Sequence, residues 1–248
     1  MLISNQLYFS SINQFNDPYD CHFTLKDLPS YETFELFWKQ FLSDKEKYKT
    51  FLDQYKEDPE KCISPILGAL KGLLNYYGIC CFAESKENFL MWSHYADSHR
   101  GVCLGFDYDE LTKQFPQFDK VEYENEPFHF DITDVSKSVA KVVLRKSVDW
   151  KYEQEIRFLM ERNKTVGFNM AALREINFGL KTPNRQMQNI IYLISKLGYP
   201  NCSFNKANIA KSNYAVAFEK VDTEELKKAV LKDSENIRYK AEIKLEKK

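Results

Sequence analysis

From Trp150 to Phe158 two kinds of position alternate: Trp150, Tyr152, Gln154, Ile156 and Phe158 against Lys151, Glu153, Glu155 and Arg157. A period of two is that of a β-strand, whose successive side chains go to opposite faces. One face can then enter a core, and the other carries two carboxylates and a guanidinium in a row. A helix would scatter the aromatics around its circumference and leave Glu153 and Arg157 as an i, i+4 surface pair worth ~0.2–0.5 kcal/mol. The pattern predicts a strand.

The same test along the rest of the chain predicts strands at Leu7–Ser11, Ile79–Ala83, Val102–Asp107, Asp119–Phe130, Glu175–Gly179 and Tyr214–Phe218. Helical spacing covers 31–55, where Phe34, Phe37, Trp38, Phe41, Tyr48, Phe51 and Leu52 recur, and 63–77, with Gly78 in the place of a terminating glycine. Further helices are expected over 89–96, after an Asp131 or Thr133 cap along Val135, Val139, Val142 and Val143, and from Thr182–Pro183 to Gly198. Phe15–Asp20 reads as a turn, since Asn and Asp bond their own backbone and Pro fixes φ. Gly101 suits a turn with positive φ, and Gly105 inside a strand suggests close approach of another backbone or a ligand. Strands separated by helices of unequal length predict an α+β fold, a mixed or split antiparallel sheet with flanking helices. No linker composition divides it, so 1–221 is read as one domain and 222–248 as a charged helical tail.

Composition changes this picture little. A hydrophobic content of 44% with 19 Phe and 15 Tyr supports a sizeable core, and a net charge of -1 does not suggest a general polyanion binder. Six cysteines without a C-x-x-C pair read as reduced, buried small hydrophobes. With no secretory signal and no long apolar run, the expectation is a cytoplasmic protein without a membrane segment. There is no G-x-G-x-x-G, no phosphate-loop motif and no G-x-S-x-G elbow.

Candidate chemistry gathers in three places. Glu153, Glu155 and Arg157 offer base, electrostatic clamp and positioning cation, or else a solvent-facing salt-bridged strand. Asn16, Asp17 and Asp20 form a structural turn or a pocket edge, with Asp20 able to pair with Arg157. Trp92, His94 and Tyr95 can stack a planar ring, or simply pack. His94, His99 and Cys103 match no zinc spacing, so no metal is expected. Cys80 or Cys81 as a nucleophile would need a histidine and a lowered pKa.

Three segments carry a resemblance. Leu7-Tyr-Phe-Ser-Ser11 with Phe15-Asn-Asp-Pro-Tyr-Asp20, the run from Asn88 to Asp107, and Trp150-Lys-Tyr-Glu-Gln-Glu-Ile-Arg157 resemble a large bacterial family known only as a domain of unknown function. More remotely, the order of parts is similar to that of ADP-ribosyltransferases: an early Tyr/Ser-Ser strand, a helical insert, a late Glu-x-Glu strand. That resemblance implies a split sheet with NAD as co-substrate in its cleft. It implies Glu155 stabilising an oxocarbenium-like transition state, with an effect of ~3–4 kcal/mol per preorganised group. Glu153 and Arg157 would assist. Tyr8, Ser10, Ser11, Phe15, Asn16, Asp17, Asp20, Trp92, His94 and Tyr95 would hold the co-substrate. It also implies a macromolecular target, protein or nucleic acid, in a bacterial anti-phage or toxin setting. The family's upstream strand, with a Tyr-x-Tyr stretch, would fall before Met1. Two other classes stay open: a metal-dependent nuclease using Asp20, Glu84, Glu153 and Glu155, and a non-catalytic ligand-sensing or interaction domain.

Overall fold

The structure is a computed structural model and describes residues 1–224 of the 248. The tail read over 222–248 lies, beyond residue 224, outside the described residues. The fold is α+β, and the chain gathers into two compact units, one of residues 7–84 and 115–166, the other of 1–6, 85–114 and 167 onward. Among the described residues no helix is long and apolar enough to cross a membrane.

The unit of 7–84 and 115–166 is built on a three-stranded antiparallel sheet with Glu155–Glu161 in the middle, Tyr77–Ala83 on one side and Phe118–Lys120 on the other. Register sets the two faces. Phe82, Phe118 and Phe158 share one, where Phe158 lies 5.3 Å from each of the other rings. The opposite face carries Ile79, Cys81, Glu155 and Arg157, and Ser10 joins it through an antiparallel bridge to Ile79. The helix Val135–Val142, capped by Asp134, adds Val135, Val139 and Val142 to a cluster with Ile79, Leu74 and Phe130.

The 31–55 pattern resolves into two helices, Tyr31–Lys39, capped by Ser30, and Lys49–Glu57, which follows a 3₁₀ turn capped by Asp44, with Phe34 stacked 4.0 Å from Tyr55 and Trp38 stacked 4.4 Å from Phe51. The next helix runs Pro59–Leu74, from an Asp58 cap with proline at the first turn. Gly78 does not terminate it. The glycine is already in the following strand, where a Cβ would stand 2.5 Å from the Arg162 carbonyl oxygen and 2.9 Å from Phe9 Cβ.

The second unit holds a four-stranded mixed sheet in the order Val216–Lys220, Ser203–Ile209, Leu173–Phe178, Val102–Phe106. Its central pair is parallel, which requires a crossover, and Asn184–Leu197 supplies it before ending at Gly198 with φ 75°. Thr182 does not cap this helix; its hydroxyl donates to the Gly101 carbonyl at 2.8 Å. Nor does Gly101 take positive φ. Asp97, Ser98 and His99 do, at 45°, 51° and 69°. At Gly105 the close neighbour is the Glu175 side chain, whose Cβ would lie 3.0 Å from an added methyl.

Candidate functional site

The stretch at 150–158 is not one strand. Val148–Glu153 winds as a 3₁₀ helix, Gln154 turns left-handed at φ 46°, and the strand starts at Glu155. The alternation holds from there on, while Glu153 arrives from the turn. A short parallel pair, Glu122–Glu124 with Arg145–Ser147, sets Lys146 opposite Tyr123, and the Tyr123 hydroxyl accepts from the Glu155 amide at 2.8 Å.

These segments and the Phe15–Asp20 turn meet in a buried ionic network. Arg157 is 0% exposed and uses its whole fork: Nε donates to Glu155 Oε1 at 2.9 Å, Nη2 to Asp20 Oδ2 at 2.6 Å and Glu155 Oε2 at 3.1 Å, and Nη1 to the Val143 carbonyl at 2.8 Å and Cys21 Sγ at 3.4 Å. Its guanidinium carbon sits 5.2 Å from the centre of the Phe15 ring. Lys146 reaches Glu153 at 2.5 Å, Glu155 at 3.2 Å and Asp20 at 3.5 Å. Asp20, Glu153 and Glu155 are at most 9% exposed. Three carboxylates against two cations leave one negative charge over.

The acids are thus neither a solvent-facing strand nor an open clamp. Burial works to raise the Glu155 carboxyl, and the charge and hydrogen bonds of Arg157, with Lys146, reverse this and hold it below the ordinary carboxylate value. Burial likewise opposes the charge of Lys146, but the surrounding carboxylates outweigh it and its pKa is raised. At the thiols burial prevails: it lifts Cys21, and pushes Cys80 to about 12, so Cys80 stays protonated and is no nucleophile at neutral pH.

Beside the network lies a cavity of about 420 Å³, its wall including Phe15, Asn16, Asp17, Asp20, Lys71 and Asn75. Asp20 belongs to both. Ser10 shares the sheet face of Glu155 and Arg157 but spends its hydroxyl on the Ile79 carbonyl at 3.2 Å. The exposed Tyr8 hydroxyl and the Ser11 amide both donate to Gln14 Oε1. Trp92, His94 and Tyr95 stand on the Phe89–Tyr95 helix of the other unit. There Trp92 is core: 2% exposed, its indole NH donates to the Lys86 carbonyl at 2.7 Å and its ring packs near Phe218. It offers no face to a ligand, whereas His94 and Tyr95 are exposed.

The acids of the nuclease reading are drawn into ion pairs of their own. Asp20, Glu153 and Glu155 are engaged by two cations, Glu84 pairs with Lys120 at 2.6 Å, and among the described residues no group of three or more His, Cys, Asp or Glu stands ready to hold a metal. Sequence reasoning missed Lys146, Tyr123 and Asn75. Lys146 has no periodic neighbour to mark it, because its strand is three residues long.

Residues 91–158 are similar to a family described as "Protein of unknown function (DUF2971)". No curated protein and no solved structure matches the chain. The matched stretch takes in Lys146, Glu153, Glu155 and Arg157 and ends one residue past the arginine.

Proposed function

We propose that the unit of 7–84 and 115–166 handles a small molecule at the junction of the Phe15–Asp20 turn and the acidic strand, and that its reaction is an NAD-consuming transfer of the ADP-ribosyl kind. The observation that carries the reading is Asp20, which is bonded to Arg157 of the central strand and also lines the 420 Å³ cavity. A cavity of this size lies within the ~300–1,000 Å³ usual for small ligands. In the reaction the bond from the ribose carbon to the nicotinamide nitrogen breaks, its electron pair leaves with nicotinamide, and a nucleophile of the acceptor forms the new bond to that carbon. Positive charge develops on the ribose, and ionised carboxylates held rigidly nearby lower the barrier. Glu155 is kept ionised by its partners, but both its oxygens are taken by cations, so in this reading it positions Arg157 and Asp20. The acids on the cavity wall are Asp17 and Asp20.

Incubation of the chain with NAD tests this. Nicotinamide release is expected, together with ADP-ribose on protein, RNA or DNA. Asp17→Asn should lower it by about 10²-fold, the usual loss for one preorganised group. No release, from this chain or from one extended upstream, rejects the reaction. A second reading, ligand sensing without turnover, is favoured by the engagement of both Glu155 oxygens; it predicts ligand binding to a chain that never releases nicotinamide.

A further inference from the structure

Asp17 is 8% exposed although it sits in a surface turn. Its Oδ1 accepts from the Tyr19 amide at 2.9 Å, while its Oδ2 is buried with no hydrogen-bond partner among the described residues. Asn75, at the C-terminal cap of the Pro59–Leu74 helix, repeats the condition: its Oδ1 is buried and unpartnered. Both residues line the same cavity. An unpaired buried acceptor costs about 1–3 kcal/mol, and more when charged. Two on residues of one wall make an arrangement that a ligand bearing donors relieves once the side chains turn to meet it.

The sign of that ligand follows from the charges around it. Asp20 is spent on Arg157 and Lys146, and those two cations already fall one short of the three carboxylates they serve. Asp17 adds a further acid with no cation bonded to it among the described residues. Lys71, the cation on the wall, is exposed and ends a flexible stem that can turn to water. The remainder of the lining includes Ile12, Phe15, Phe23 and Leu74, apolar surface suited to a flat ring.

We infer that this cavity is a binding site for a small, flat organic cation that donates hydrogen bonds to Asp17 and Asn75. The inference deepens the proposed reading, since a pyridinium carboxamide is such a group, and rests on it only for which natural ligand supplies the cation. Three isosteric probes separate charge and donors from shape: benzamidinium, benzamide and benzoate, titrated calorimetrically into the full chain. Benzamidinium should bind, benzamide more weakly, benzoate not at all. Asp17→Asn should weaken benzamidinium by about 10-fold or more and benzamide by far less, because only the cation loses an ion pair as well as a hydrogen bond to a carboxylate. Asn75→Ala should weaken both by about 3-fold and, having shed an acceptor that no group satisfies, should melt no lower than the parent. If Asp17→Asn does not fold, the probe series and Asn75→Ala decide. Benzoate binding as well as benzamidinium, failure of all three, or an Asn75→Ala chain that binds benzamidinium unchanged overturns the inference. Benzamidinium binding without nicotinamide release keeps the inference and removes the reaction; release without benzamidinium binding does the reverse.

Discussion

Each unit places ions and amides on a sheet, and the two do it on opposite terms. Around Arg157 the charges are sealed from water, three against two, drawn from the Asp20 turn, the Lys146 strand and the 3₁₀ turn of Glu153. In the four-stranded unit Lys86 pairs with Glu175 one to one, at 30% and 35% side-chain exposure, and neutral Asn177 and Asn205 complete the row, with Asn205 Nδ2 2.9 Å from Asn177 Oδ1. Desolvation scales with burial, so the first arrangement stands only while every member is present, and the second tolerates loss. The lesson is that the same residue types make a brittle junction in one unit and a soft one in the other.

The sharpest way to break that contrast is to remove one ion from each. Arg157→Met should cost about 3–5 kcal/mol, since it leaves Asp20 and Glu155 buried with one shared cation, whereas Glu175→Gln should stay within about 1 kcal/mol. Urea denaturation followed by circular dichroism reads both, and equal losses would erase the distinction. Glycines offer a smaller version. Gly78→Ala drives a methyl against the Arg162 backbone carbonyl and should cost about 1–3 kcal/mol. Gly105→Ala meets the Glu175 Cβ at 3.0 Å, a milder approach than the one at Gly78, and should cost less than Gly78→Ala. A Gly105→Ala loss matching that of Gly78→Ala would mean the four-stranded unit is as unforgiving as the other.

Alternation told which residues share a face, and from Glu155 onward it was right: Glu155 and Arg157 lie on one side, Ile156 and Phe158 on the other. It carried no information on what covers a face. Solvent and the Asp20 turn look alike from within the strand, so an acidic face read as open or solvated is in fact sealed. The pairing of Asp20 with Arg157 was legible as a possibility because the turn placed an acid where a guanidinium needed one; the part played by Lys146 was not, for its strand is too short to have a period. Gln154 broke the predicted strand by adopting a left-handed conformation that a glutamine does not advertise. The turn at Asp97, Ser98 and His99 was hidden in the same way, with Gly101 beside it drawing the expectation of positive φ. The division into two units was illegible for a plainer reason: the chain passes between them at 6–7, 84–85, 114–115 and 166–167, none of which is a linker by composition.

Acid offers the gentlest probe of the same contrast. Glu155 titrates below its ordinary value of 4.5 when folded, because Arg157 and Lys146 outweigh the effect of burial. A depressed carboxylate contributes stability that is complete above the unfolded pKa and is lost as pH falls through the folded one. Denaturation midpoints taken from pH 7 downward should therefore hold until about the ordinary glutamate value and then decline, with Glu155 adding at most about 1.4 kcal/mol per pH unit for its single proton. In Glu155→Gln that increment should vanish, leaving a shallower decline from a lower starting stability. Asp107, paired with Arg174 at 3.1 Å on the four-stranded unit, is depressed too, chiefly by the Glu110 amide, but its side chain is 30% exposed to solvent that screens it. Asp107→Asn should leave the acid slope nearly unchanged at 0.15 M salt. If instead Asp107→Asn flattens the curve and Glu155→Gln does not, acid sensitivity belongs to the part-exposed pair, and the sealed network is not where protonation first costs the fold its stability.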